Sequence, residues 1–339
     1  MAQTYRRLVL AHRPEGMPDD STFRMEEVPL PEPKDGEMLV KAIYLSIDPY
    51  MRGRLRDVAS YAAPVQLNEV MVGGVAGQVV ASKNPRFSKG IFVNGMFGWQ
   101  EYALSDGKGV RTLDPQVAPI STSVGILGMP GATAYFGLLD IGKPKAGETV
   151  VVSAAAGAVG GLVGQLAKIH GCRAVGIAGG QAKCDYVVKE LGFDAAIDYK
   201  AERDLRAAVQ RACPNGVDVY FDNVGGPVSD AVIVSLNTFA RVSICGQISQ
   251  YNNESPELAP RLYWVLLTKR ARMEGFIVSD FGARWGEALG KMADWLRSGK
   301  LKYKEDVVRG LENAPTALRG VLQGKNFGKQ IVQLADMPH

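Results

Sequence analysis

The chain has 339 residues, 46% of them hydrophobic and 22% charged, which is the balance of an ordinary globular enzyme and too long for one typical domain. Its formal net charge of +4 is spread along the chain, with no basic run longer than pairs such as Lys269-Arg270, so a nucleic-acid partner is not expected. Four scattered cysteines (Cys172, Cys184, Cys213, Cys245) and three histidines (His12, His170, His339) stand at no metal-ligand spacing, and they suit a reducing cytoplasm better than a disulfide framework.

Arg6-Arg7 opens the chain like a twin-arginine signal, but the apolar stretch that follows, 8–11, is too short for export. The first third then reads as irregular β structure. Short runs at 38–45, 77–82 and 102–104 lie between clusters such as Pro29-Leu30-Pro31-Glu32-Pro33, the pattern of a small barrel or sandwich.

Near residue 125 the character changes. Strand candidates follow at 149–154, 173–178, 195–199, 217–223, 240–245 and 272–278, and their continuous Val/Ile content suits a parallel sheet covered on both faces. Helical patterns at 162–170, 183–191, 204–211 and 228–236 fit between them, which predicts an α/β, doubly wound fold. Residues 150–167 carry no charge, yet their glycines, Ser153 and Gln165 divide them into a strand and a helix rather than one membrane span. A long helix at about 283–298 stops at Gly299, Asn313-Ala314-Pro315 opens another, and the strand-like run 329–334 is read as returning to the first domain. There are no internal repeats.

The strongest chemical signal is Val150-Val151-Val152-Ser153-Ala154-Ala155-Ala156-Gly157-Ala158-Val159-Gly160, a strand running through Ala155-x-Gly157-x-x-Gly160 into a helix. Gly157 allows close approach of a pyrophosphate, and Gly160 allows close packing of helix on sheet. Ala155 replaces the usual first glycine, so the motif is incomplete. Ala156, Gly157, Ala158 and Val159 are the cofactor-contact candidates of this turn. The second strand leads into Gly179-Gly180-Gln181-Ala182-Lys183, where an NAD enzyme would carry an acid for the ribose hydroxyl. No acid stands there. Lys183 supplies an ammonium that would attract a 2′-phosphate, so NADPH is the favoured cofactor, with Gly179 a further contact candidate. Lys183 also fits a solvated surface lysine; the missing acid is the firmer observation.

Residues 1–126 carry no cysteine, and their one histidine is His12, so they lack the donors of a catalytic zinc; no metal is expected. There is no Gly-x-Ser-x-Gly elbow, phosphate-binding Gly-Lys-Ser/Thr loop or short-chain Tyr-x-x-x-Lys pair. Alcohol oxidation without a Lewis acid lacks its usual way of stabilising an alkoxide. Hydride addition to a conjugated alkene needs only hydrogen bonds to an enolate oxygen.

Together the motifs resemble the zinc-independent medium-chain dehydrogenase/reductases, specifically the alkenal, prostaglandin and curcumin double-bond reductases. The resemblance runs through Ser46-Ile47-Asp48-Pro49-Tyr50-Met51-Arg52-Gly53, Gly98-Trp99-Gln100-Glu101-Tyr102, Gly128-Met129-Pro130-Gly131-Ala132-Thr133-Ala134-Tyr135 and Phe221-Asp222-Asn223-Val224-Gly225-Gly226. It continues through Gly246-Gln247-Ile248-Ser249-Gln250-Tyr251-Asn252 and Asn326-Phe327-Gly328-Lys329. It implies a GroES-like substrate domain, 1–126 with 302–339, a Rossmann NADPH domain, 127–301, an active site in the cleft between them, and a homodimer. It further implies that Lys183 and Tyr199 meet the 2′-phosphate and that Asn223, Cys245, Tyr251 and Asn326 line the cofactor. In the same way Phe276, Ile277 and Val278 offer backbone to the nicotinamide amide, Met129 lies near the ring, and Tyr50 faces the substrate. Read as residues alone, Tyr199 also fits a strand-end packing residue, Asn223 and Asn326 turn formers, and Tyr50, Met129 and Trp99 packing.

The expected reaction is NADPH-dependent reduction of the C=C bond of enones or enals. Tyr251, with the cofactor ribose, would hydrogen-bond the enolate, and the α-carbon proton would come from Tyr251 or water. A quinone oxidoreductase would use the same loop, and an NADPH-binding module without turnover would keep it too. The loops 54–67 and 252–262, which shape the pocket, cannot be read from sequence.

Overall fold

The structure, a computed structural model, describes residues 3–338. It divides into two compact units: one holds the residues up to Gly125 together with those from Glu305 onward, and the other is Ile126–Lys304.

The first unit opens with a hairpin of β1 (Thr4–Leu10) and β2 (Phe23–Pro29). It continues with β3 (Met38–Ser46), the short helix α1 (Met51–Arg54), β4 (Val75–Ser82), β5 (Phe92–Gly95), β6 (Tyr102–Ser105) and β7 (Arg111–Leu113). The three runs expected at 38–45, 77–82 and 102–104 lie in β3, β4 and β6. Trp99 anchors the core of this unit, fully buried and stacked on Phe23 with ring centroids 5.0 Å apart.

The second unit opens with the helix α2 (Met129–Phe136), followed by β8 (Thr149–Ser153), α3 (Gly160–Ile169), β9 (Arg173–Ala178), α4 (Gln181–Asp185) and β10 (Ala195–Asp198). Then come α5 (Leu205–Ala212), β11 (Val217–Asp222), α6 (Gly226–Ile233), β12 (Leu236–Ile244), α7 (Tyr263–Lys269), β13 (Arg272–Gly275) and α8 (Trp285–Arg297). Its six strands form one parallel sheet in the order β10-β9-β8-β11-β12-β13. This is the doubly wound order, and it reverses direction between β8 and β11. Every residue of β8 is buried, as β-branched strands covered on both faces require. Strand β14 (Glu305–Arg309), helix α9 (Ala314–Leu322) and strand β15 (Lys329–Gln333) then complete the first unit, with β15 pairing antiparallel to β3.

Several boundaries differ from those read in the sequence. The strand expected at 272–278 stops at Gly275, and Val278 already opens the 3-10 turn Val278–Arg284. The strand expected at 240–245 begins at Leu236, four residues early. The helix expected at 228–236 therefore gives up its end and starts instead at Gly226, where Pro227 sits in the first turn and needs no amide partner. The helix expected at 183–191 begins at Gln181 and passes into a π-helical turn, Tyr186–Glu190. Helices α2 and α7 were not expected at all.

Candidate functional site

In a doubly wound sheet, ligands bind beyond the carboxyl ends of the strands where the strand order reverses. Here that place lies above β8 and β11. The chain leaves β8 through Ala154, whose φ of +51° is the left-handed conformation, and Gly157 N–H turns back to donate to Ala154 O at 2.9 Å. The two glycines of this turn have different duties. A Cβ on Gly160 would lie 2.3 Å from Ala154 O, so this position closes the contact between helix α3 and the turn. A Cβ on Gly157 would meet only Ala154 O, at 3.2 Å, and would otherwise face open space. Gly157, Ala158 and Val159 are half-exposed at the crown, while Ala156 is buried beneath them. Ala155, which breaks the usual fingerprint, is fully buried, and its methyl occupies the space that Gly176 leaves, 2.8 Å from where a Cβ there would stand.

Beyond β9, Gly179 and Gly180 face the end of β10. A Cβ on Gly179 would lie 2.9 Å from Tyr199 Cε1, so the tyrosine ring lies across this glycine, and Tyr199 remains 40% exposed. Lys183 follows one turn later, its N–H donating to Gly180 O at 3.0 Å.

Beyond β11 the organiser is a residue that sequence reasoning missed. Asp222 is buried, and no cation pairs with it among the described residues. Its Oδ1 accepts from Ser153 Oγ (3.1 Å), Tyr220 Oη (2.8 Å) and the N–H groups of Val224 and Gly225 (3.0 Å each), and its Oδ2 accepts from Ser229 Oγ at 2.7 Å. Five donors hold the carboxylate, which in turn locks the ends of β8 and β11 and the start of α6. The signal was available: an acid closing the apolar run Val217-Asp218-Val219-Tyr220-Phe221-Asp222 must be satisfied by neighbours. Asn223 is oriented by this lock, its N–H donating to Ser153 Oγ at 2.8 Å and its Nδ2 to Ser153 O at 2.7 Å.

Strand β12 delivers Cys245 and Gly246 beside Asn223, through N–H bonds to Asp222 O of 2.8 and 3.1 Å. Burial first, and the Asp222 charge second, push the Cys245 thiol up to about 12, so it stays protonated at neutral pH. Tyr251 folds back over Gly246. A Cβ there would lie 3.0 Å from Tyr251 Oη and 3.4 Å from Asn223 O, and Gln247 N–H points to the same hydroxyl at 3.4 Å. Phe276 turns its ring inward against Phe221, centroids 6.2 Å apart, so Phe276, Ile277 and Val278 are half-buried just past the end of β13. Met129, half-buried, is the first residue of α2.

The structure thus brings Met129, Ala156, Gly157, Ala158, Val159, Gly179, Lys183, Tyr199, Asn223, Cys245, Tyr251, Phe276, Ile277 and Val278 into one unit, most of them at the carboxyl ends of its strands. Tyr50 and Asn326 belong to the other unit. Tyr50 packs against that unit's core just before α1, and burial, helped by the Asp48 charge, drives its hydroxyl far above the ordinary tyrosine value. It can donate a hydrogen bond but does not ionise. Asn326 Nδ2 donates to Gly328 O at 2.8 Å, closing the turn before β15.

Two family models match the chain, one described as the N-terminal domain of oxidoreductase over residues 6–113 and one as zinc-binding dehydrogenase over residues 158–294. The NADPH-dependent curcumin reductase of Escherichia coli (strain K12) is 47% identical over 338 residues, covering 98% of each chain. The chain belongs to the medium-chain dehydrogenase/reductases, within the group of curcumin, prostaglandin and alkenal reductases. Another member of this group, the NADP(+)-dependent 2-alkenal reductase of Nicotiana tabacum, is 43% identical over 336 residues and 97% of each chain. The crystal structure of CurA in complex with NADPH from Vibrio vulnificus superposes on this medium-chain reductase with a TM-score of 0.94 at 50% identity, covering 98% of this chain and 100% of that one. Although the second family description mentions zinc, no group of three or more His, Cys, Asp and Glu side chains among the described residues could hold a metal ion.

Proposed function

We propose that this medium-chain reductase uses NADPH to reduce the carbon–carbon double bond of enones and enals. The observation that carries the reading is the pairing of whole-length identity to an NADPH-dependent curcumin reductase with an open glycine turn at the crown of the sheet. The residues fit the cofactor. Gly157, between Ala156, Ala158 and Val159, has room for a pyrophosphate, and Gly179, Lys183 and Tyr199 border a place for a ribose phosphate where residues 179–183 carry no acid. We assign Asn223, Cys245 and Asn326 to the cofactor's lining, the backbone of Phe276, Ile277 and Val278 to its carboxamide, and Met129 to its ring.

Bound there, NADPH would supply hydride to the β-carbon of the conjugated alkene. The chain's own part is to receive the negative charge that moves onto the carbonyl oxygen. Tyr251 is the donor we assign to that oxygen, because its hydroxyl is tethered over Gly246 beside Asn223. A preorganised donor aimed at a developing oxyanion lowers the barrier without reorganisation. The α-carbon proton then comes from the Tyr251 hydroxyl or from water, leaving the saturated carbonyl. Tyr50, held protonated by burial, is assigned to the substrate's side as a hydrogen-bond donor. The neutral Cys245 thiol is a poor nucleophile toward an electrophilic alkene, which suits a site handling such substrates.

The unit of residues 126–304 is accordingly the NADPH domain, and the unit built from both chain ends is the substrate domain. We place the enzyme in the cytoplasm; its four cysteines are unpaired, and no helix among the described residues is long and apolar enough to cross a membrane. We also propose a homodimer. Strand β13 is the outer strand of its sheet, and nearby α7 exposes Tyr263 (78%), Trp264 (61%) and Leu267 (77%). An open strand edge beside exposed aromatic and aliphatic side chains calls for a covering partner.

The reading is tested by following NADPH oxidation with a 2-alkenal, a cyclic enone and a quinone, and by identifying the product. Formation of the saturated carbonyl supports it. Turnover of the quinone alone, or cofactor binding without turnover of any of them, overturns it.

A further inference from the structure

The pocket beyond β9 contains a cation that the expected set leaves out. Strands β9 and β10 run parallel, with Ala178 opposite Asp198, so Gly179-Gly180 and Tyr199-Lys200 leave the sheet side by side. Asp198 ties these two exits together: one carboxylate oxygen accepts from Gly180 N–H at 2.7 Å and from Lys200 N–H at 3.0 Å. Tyr199 N–H adds a third link, to Ala178 O at 3.1 Å. The backbone at the Lys200 position is therefore fixed relative to Gly179, although the lysine lies on the surface.

Its side chain folds back over the glycine. A Cβ on Gly179 would stand 2.9 Å from Lys200 Cε, as close as to the Tyr199 ring. The lysine stem therefore lies across the bare face of Gly179, and its ammonium, one bond further on, sits at the same pocket. Among the described residues Lys200 forms no ion pair; of the two acids nearest in sequence, Asp198 spends its Oδ1 on backbone N–H groups and Glu202 pairs with Arg211.

We propose that Lys200 is a second cation for the 2′-phosphate of the cofactor's adenosine ribose, and so a determinant of selectivity for NADPH over NADH; this rests on the NADPH reading above. The charge balance favours it. A phosphate monoester carries between one and two negative charges at neutral pH and three acceptor oxygens, more than Lys183 alone can neutralise. A flexible ammonium acts there as a point charge, without the fixed fork of an arginine. Asp198 is the positioning residue, since it holds the Lys200 backbone against the Gly179-Gly180 exit.

The test uses nucleotides without a nicotinamide, so that binding is read apart from turnover. Titration calorimetry of the intact protein and of Lys200→Gln would be run with 2′,5′-ADP and with 5′-AMP, and thermal unfolding would verify that the variant is folded. The expected result is a weakening of 2′,5′-ADP by about tenfold, with 5′-AMP changed by less than about twofold and with Lys200→Arg restoring most of the loss. Equal weakening of both nucleotides, or unchanged 2′,5′-ADP, overturns the role of Lys200. Should the unaltered protein itself fail to prefer 2′,5′-ADP over 5′-AMP, the NADPH reading falls, and this inference with it.

Discussion

Lys329 Nζ lies 2.8 Å from Asp48 Oδ1, and both side chains are more than nine-tenths buried. The same ammonium donates to Ile47 O at 2.6 Å, and the Ser46 hydroxyl donates to the other Asp48 oxygen. The pair fastens the start of β15, just after the Asn326 turn, to the segment that carries Tyr50. Removing one partner strands a buried charge, which costs about 3–5 kcal/mol. Lys329→Met should therefore lower the urea midpoint sharply, and the double variant Asp48→Asn/Lys329→Met should recover part of the loss. A double variant as unstable as both single changes added together would mean that the two residues act independently.

The Asp222 lock makes a second prediction. Asp222→Ala takes the Asp222 acceptor from five donors, most of them buried, at about 1–3 kcal/mol for each that finds no other partner, so this variant should be destabilised strongly. Asp222→Asn keeps an acceptor at Oδ1 and lets Ser229 reverse its hydroxyl. It should retain most of the stability but weaken NADPH binding, because Asn223 is oriented through the same network. Unfolding curves and cofactor fluorescence titrations read the two effects separately; equal stability of the Ala and Asn variants would dismiss the lock.

The two crown glycines should respond differently to alanine. Gly160→Ala drives a methyl to 2.3 Å from a backbone carbonyl, a clash that costs about 1–3 kcal/mol or more. Gly157→Ala meets one atom at 3.2 Å, so it should fold with little change in Tm yet lose NADPH affinity, since the methyl projects where the pyrophosphate is assigned. Full NADPH affinity in Gly157→Ala would place the cofactor elsewhere.

Tyr251→Phe removes the hydroxyl over Gly246 and keeps the ring. Losing one donor to a developing oxyanion costs about 100-fold in kcat, and NADPH affinity should change much less. Steady-state rates with a 2-alkenal, set beside cofactor titrations, check the split, and unchanged turnover would remove Tyr251 from the chemistry.

Glu305 predicts a pH dependence. Burial raises its carboxyl above the ordinary value, against smaller opposing effects from the Ser121 hydrogen bond and the Lys329 charge, and its Oε1 has no hydrogen-bond partner. A carboxyl that holds its proton more tightly folded than unfolded contributes stability below the ordinary carboxylate range and loses it as pH rises through the raised value. Glu305→Gln should accordingly raise Tm at about pH 7 and leave it nearly unchanged at about pH 4. An equal shift at both would assign the effect to packing.

Legibility in the sequence followed solvent contact. The central strands β8, β9 and β11 could be read because strands buried on both faces must be largely apolar, and the glycine turn because close backbone approach excludes side chains. Helix α2 escaped because Met129-Pro130-Gly131-Ala132-Thr133-Ala134-Tyr135-Phe136 is buried on nearly every side, so no polar face marks a helical period. Helix α7 escaped for the opposite reason: Tyr263, Trp264 and Leu267 are apolar yet exposed, which blurs the stripe. At the site, Gly157, Lys183, Tyr199 and Tyr251 were singled out from local pattern or family resemblance, whereas Asp222 and Lys200 were not. Their importance lies in partners far away or on another strand, such as Ser153 for Asp222 and Gly179 for Lys200.

What the sequence alone determined is therefore the succession of the six sheet strands, the family, and the acid-free exit of the second strand, because each depends on residue types at short spacing. What only the tertiary structure decided is which groups meet at the crown: five donors on Asp222, a tyrosine hydroxyl over Gly246, and a lysine stem across Gly179. Hydrogen bonds and close contacts join atoms through space, and only packing brings together residues that stand tens of positions apart in the chain.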